Sequence, residues 1–245
     1  MWSHFTTMSD DLAKHGRFTA WGVHMYTASG AVLAFIGAWG VVHGYDRVAL
    51  GSMFVATIVD ATDGMLARRV RVKEVLPSID GARIDDIVDY ITFVFLPLLL
   101  LEASGGLPRF GALPVAAVVL LSSMYGFVAP DAKTSDAFFT GFPSYWNIVV
   151  LYLLLFGTSP GVNVIVLLVL SALVFVRIGY VYPSRTKTLQ TLTLGLSALW
   201  TVAIGVIIAL WPFPPRWLAI ASLAFPVYYL VLSLVLNARR GRLRG

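Results

Sequence analysis

The chain has 245 residues, 58% hydrophobic and 13% charged, with no cysteine and a net charge of +5. A soluble domain carries about 25% charged residues, so a water-covered globule is excluded. The absence of cysteine excludes a disulfide scaffold and thiolate zinc sites, and the apolar content excludes a disordered chain.

What remains is an all-α, polytopic membrane bundle with one membrane domain. Eight apolar stretches read as spans: 23–43, 48–67, 84–103, 112–129, 143–157, 161–182, 190–211 and 216–237. Helix breakers separate them at Gly105-Gly106, Pro130, Pro143, Pro160-Gly161, Pro183 and Pro212 through Pro215. Ahead of them, residues 1–22 lack the apolar stretch of a signal peptide and carry Asp10, Asp11, Lys14 and Arg17. This segment is expected to lie amphipathically on the membrane surface. Residues 23–237 are the membrane domain and 238–245 a basic tail.

Lysine and arginine positions set the orientation. With the N-terminus inside, 15 of the 18 fall on the inner side, leaving Arg47, Arg109 and Arg216 outside. Both termini are therefore expected in the cytoplasm. The basic tail reads as an attraction to anionic lipid head groups, not as a nucleic-acid site.

The acids are concentrated. Seven of thirteen lie between 60 and 89: Asp60, Asp63, Glu74, Asp80, Asp85, Asp86 and Asp89. A carboxylate in a bilayer is costly unless it is paired, hydrated or bound to a metal. Asp60 and Asp63 share a face in the inner half of the second span. Asp85 and Asp89 share a face in the first turns of the third. The two spans are antiparallel neighbours, so four carboxylates are expected to converge near the inner membrane surface. Asp80 and Asp86 read as solvated helix-end acids, with Asp86 on another face. Hard oxygen ligands select Mg²⁺, Mn²⁺ or Ca²⁺, and two such ions suit phosphoryl transfer. Gly64, Ala67 and Gly81 remove bulk beside the acids, and Arg68 offers a cationic fork for phosphate oxygens.

Written out, the stretch is Asp60-x2-Asp63-Gly64-x2-Ala67-Arg68-x12-Gly81-x3-Asp85-x3-Asp89. It resembles the signature of the CDP-alcohol phosphotransferases, integral membrane enzymes of phospholipid synthesis, with every fixed position present in order. The spacer of twelve between Arg68 and Gly81 is longer than usual there and resembles the bacterial phosphatidylcholine synthases of that family. The resemblance implies transfer of a phosphatidyl group from CDP-diacylglycerol to choline, with release of CMP. It further implies two Mg²⁺ or Mn²⁺ ions, a homodimer, and a bacterial inner membrane with the active site on the cytoplasmic side. Asp60, Asp63 and Asp85 would be metal ligands, and Asp89 a metal ligand or the general base. Asp63, Gly64, Ala67 and Gly81 would line the nucleotide site, with Arg68 near the phosphates.

A quaternary ammonium has no N–H to donate, so aromatic faces hold it. Tyr145 and Trp146 with Asn147, and Tyr182, are the choline candidates. Arg185 is a candidate for a lipid phosphate, or else simply obeys the positive-inside rule. Serine, glycerol phosphate and inositol phosphate are alternative acceptors; a phosphorylated one calls for more basic residues at the pocket. The alternative outside enzymes is a cation transporter, against which the acids lie at one inner edge and not at the midplane. Gly157-Thr158-Ser159-Pro160-Gly161 matches a nucleophile elbow in letters only. Pro160 lacks the N–H that an oxyanion hole needs, so an outer turn is expected. The histidines His4, His15, His24 and His43 show no metal spacing.

Overall fold

The computed structural model describes the backbone of residues 3–130, 134, 138–182, 186 and 188–244, and side chains within 16–239. Helix α1, Ser3–Val42, runs unbroken from the N-terminal segment through the first span. Gly44, at φ +72°, turns the chain into α2, Asp46–Val70. Arg71 ends α2 in the left-handed conformation, its N–H donated to the carbonyls of Ala67 and Arg68. A short α3, Val72–Val75, follows.

The third rod has three parts: α4, Gly81–Asp89, a π-helical segment, Tyr90–Phe95, and α5, Leu96–Ala103. Pro97 accounts for the middle part. It has no N–H, and its ring would collide with the carbonyl four residues back. The wider π turn, in which the Leu96 N–H reaches the Ile91 carbonyl, takes up that misfit. The remaining helices are α6, Ala112–Val128, α7, Trp146–Leu155, α8, Pro160–Val174, α9, Gln190–Ala209, α10, Arg216–Ser222, and α11, Ala224–Arg244.

Among the described residues, four stretches are long and apolar enough to cross a membrane: Gly16–Val42, Asp46–Val70, Gln190–Ala209 and Arg216–Arg239. Ala112–Val128, Trp146–Leu155 and Pro160–Val174 are shorter apolar helices.

The sixth span is expected to run to 182, but α8 stops at Val174. Gly179–Val181 instead forms strand β2, antiparallel to β1, Phe138–Thr140, with Phe138 opposite Val181 and Phe139 opposite Tyr180. Aromatic and β-branched residues favour a pleated strand once a partner is present. The free edge of β2 is met by α11. The Gly179 N–H donates to Asn237 Oδ1 (2.9 Å), the Val181 N–H to Ser233 Oγ (3.1 Å), and the Tyr229 hydroxyl to the Val181 carbonyl (2.9 Å). Tyr229, Ser233 and Asn237 stand on successive turns, so one helical stripe satisfies the backbone groups of an edge strand.

Helices α5 and α7 sit between two apolar clusters. One joins Leu50, Met53, Leu96, Leu100, Leu151 and Ile207; the other joins Leu98, Leu101, Val119, Val150 and Leu167. Small residues bring α1 close to its neighbours: a Cβ at Gly30 would meet Val88, and one at Gly37 would meet Ser52 and Leu96. Phe35, Leu121, Leu199 and Val202 are exposed, as lipid-facing side chains are.

Candidate active site

The site forms where α2 ends and α4 begins. Asp80 fixes that beginning. Its Oδ1 accepts from the N–H groups of Ala82 (3.1 Å) and Arg83 (3.4 Å), and its carboxylate pairs with Arg83 at 3.2 Å. The acid expected to be a solvated helix end is thus the N-cap that sets the register of Asp85 and Asp89.

Asp60, Asp85 and Asp89 each present a carboxylate oxygen within 4.8 Å of the others. All three are half-buried. Asp63 lies outside this group and is 5% exposed, so it faces the protein interior. Asp86 also lies outside it. Three carboxylates this close repel one another strongly. Their hard, anionic oxygens fit a divalent cation of the Mg²⁺ or Mn²⁺ kind.

The twelve-residue spacer is folded onto α1. Val72 and Leu76 bury against Ala20 and Val23, and Arg71 pairs with Glu74 on the exposed side. The two signature glycines each lie against a side chain of the protein itself. A Cβ at Gly64 would stand 3.2 Å from Arg68 Nη1. One at Gly81 would stand 2.8 Å from His24 Cε1 and 3.2 Å from Nδ1. The Arg68 guanidinium therefore folds back beside Gly64, and Ala67 packs with the Val72–Leu76 cluster. His24 is buried, and its Nε2 has no hydrogen-bond partner among the described residues. No motif singles out His24; only the spacing of α1 against α4 exposes its role.

The candidates at the start of α7 divide between the acids and the core. Tyr145, at the N-terminus of α7, lies within electrostatic reach of Asp60 and Asp89, and of Tyr182 and Tyr229. Trp146 is fully buried; its indole N–H donates to Ser123 Oγ at 2.7 Å and its ring packs edge-on against Phe142. Asn147 Nδ2 donates to Thr57 Oγ1 at 2.9 Å, about one turn before Asp60, while its buried Oδ1 accepts nothing among the described residues. Tyr182 stacks on Phe139 at 4.6 Å, and Phe139 stands edge-on to Tyr145 at 6.5 Å. Phe139 and Tyr229 carry no motif: β1 is too short to show a period, and Tyr229 is one of several apolar and aromatic residues along α11. Arg185 lies outside the described residues. Gly157 to Gly161 form a turn into α8, as expected: Ser159 caps the helix, accepting from the Val162 N–H, and Pro160 is the first helical residue.

No protein-family model matches the chain. Curated relatives do. It is 40% identical over 224 residues to a phosphatidylcholine synthase of Legionella pneumophila, covering 88% of each chain. It is 36% identical over 193 residues to one of Pseudomonas aeruginosa, covering 79% of this chain and 81% of the relative. It is 34% identical over 224 residues to one of Rhizobium meliloti, covering 91% and 92%.

Proposed function

This chain belongs to the phosphatidylcholine synthase family, and we propose that it transfers the phosphatidyl group of CDP-diacylglycerol to choline, releasing CMP. One observation carries the chemistry: Asp60, Asp85 and Asp89, from two helices, converge within 4.8 Å. Together with Asp63 they would hold two divalent cations, Mg²⁺ or Mn²⁺. When bound, such ions neutralise the charge that grows on the diphosphate as CMP leaves.

The chain's own residues supply the rest. Arg68 binds phosphate oxygens, and Asp63, Gly64, Ala67 and Gly81 line the cytidine site. Asp89 takes the proton of the choline hydroxyl as its oxygen bonds to phosphorus and the bond from phosphorus to the CMP oxygen breaks. Direct displacement suffices, with no covalent enzyme intermediate. Tyr145, Tyr182 and Asn147 hold choline, while Trp146, between Tyr145 and Asn147 in the chain, anchors the start of α7 in the core. Arg185 takes a lipid phosphate.

The rods α1, α2, α4 to α5, α6, α7, α8, α9 and α10 to α11 would make eight crossings. Both termini and the acids face the cytoplasm across a bacterial inner membrane, and the chain works as a homodimer. The excess of basic residues on the inner side supports this orientation.

Replacing Asp89 with Asn tests the assignment. The variant is expected to bind CDP-diacylglycerol and to have lost phosphatidylcholine formation. Full turnover in that variant contradicts the role given to Asp89.

A further inference from the structure

We propose that Phe139, Tyr145 and Tyr182 form a subsite for the quaternary ammonium of the acceptor, and that Phe139 is its specificity-determining residue. The inference rests on the choline reading above and names the surface that recognises the methylated nitrogen.

Three segments bring the rings together. Phe139 comes from β1, Tyr145 from the N-terminus of α7, and Tyr182 directly follows β2. Strand alternation sends neighbouring side chains to opposite faces. Phe138 accordingly buries with Val181 and Leu232. Phe139 emerges on the other face, stacked on Tyr182 at 29° between planes and set at 83° to Tyr145. The rings thus make a corner. All three are half-buried, whereas Phe138 and Tyr180 are buried. Tyr145 lies in the field of Asp60 and Asp89, so the corner borders the acidic group.

This combination suits a cation that cannot donate a hydrogen bond. Ring faces attract its diffuse charge, and neighbouring carboxylates add to the potential. Two carbons join the ammonium to the hydroxyl in choline, which directs the hydroxyl from the corner towards Asp89. A primary ammonium placed there loses water from N–H groups that the rings do not satisfy. The corner therefore discriminates by methylation, and β1–β2 pairing is the device that installs it.

The test is steady-state kinetics on the full chain in vesicles containing CDP-diacylglycerol and Mn²⁺. Phe139→Leu is expected to raise the choline KM about tenfold. Its kcat at saturating choline and its KM for CDP-diacylglycerol should stay near those of the unaltered protein. Its preference for choline over monomethylethanolamine should narrow, and Phe139→Tyr should restore both values. Should Phe139→Leu fold poorly, Tyr182→Leu is expected to give the same selective rise in choline KM. An unchanged choline KM in a folded variant overturns the subsite. Equal damage from Phe139→Leu and Phe139→Tyr also overturns it, because that marks a packing role. Absence of choline-dependent turnover in the unaltered protein is a separate result, which overturns the transferase reading and the subsite with it.

Discussion

The carbon that Gly81 lacks would stand 2.8 Å from Cε1 of His24, closer than two unbonded carbons approach. Helix α4 can begin at this height beside α1 only because one residue of the pair is glycine. The imidazole is buried, so it has little room to yield.

Gly81→Ala is therefore expected to cost about 1–3 kcal/mol of stability, the usual range for overpacking. Activity should fall with it, because Asp85 and Asp89 follow on the same helix. Adding His24→Ala should recover most of the lost stability. Thermal unfolding in detergent of the two single variants and the double variant measures this. A double variant no more stable than Gly81→Ala would mean that the glycine serves another need.

Chelation of divalent cations should abolish transfer, and Mg²⁺ or Mn²⁺ should restore it. Asp60→Asn and Asp85→Asn should each lower kcat/KM by about 100-fold or more, since several kcal/mol of transition-state stabilisation depend on these ligands. Asp86→Asn, outside the group, should stay near the unaltered activity. Titration of activity against metal concentration checks all three variants. An Asp60→Asn variant with unaltered metal dependence contradicts the site.

The stripe on α11 gives a separate prediction about the β1–β2 pair. Ser233→Ala leaves the buried Val181 N–H without its 3.1 Å acceptor. A buried donor left without a partner costs about 1–3 kcal/mol. The Val181 amide should then exchange its hydrogen faster than in the unaltered protein, with α1 and α2 unaffected. Uniform loss of protection across the chain would show instead that the stripe supports the whole bundle.

The convergence of Asp60, Asp85 and Asp89 is legible in the sequence because helical spacing and one antiparallel turn settle it. The same spacing puts Asp63 on that face but says nothing of its burial, which tertiary contacts decide. Pro97 is a visible cause of the π segment, whereas its consequence, a widened turn directly after Asp89, needs the backbone. Phe175, Val176, Ile178 and Tyr180 to Tyr182 carry the apolar run past Val174, and Arg177 and Gly179 interrupt it too briefly to mark the end of α8. A three-residue strand has no periodicity to read, and its partner lies about forty residues away, so Phe139 and the aromatic corner appear only in the fold. His24 is hidden for a related reason: its significance lies in what Gly81 lacks.

The most direct measurement of the central claim is CMP release by the purified protein in CDP-diacylglycerol vesicles with Mn²⁺, across a panel of alcohols. The account predicts release that depends on acceptor, is highest with choline, and is matched by phosphatidylcholine formed. Release independent of any acceptor, release favouring serine or glycerol phosphate, or no release at all would contradict it.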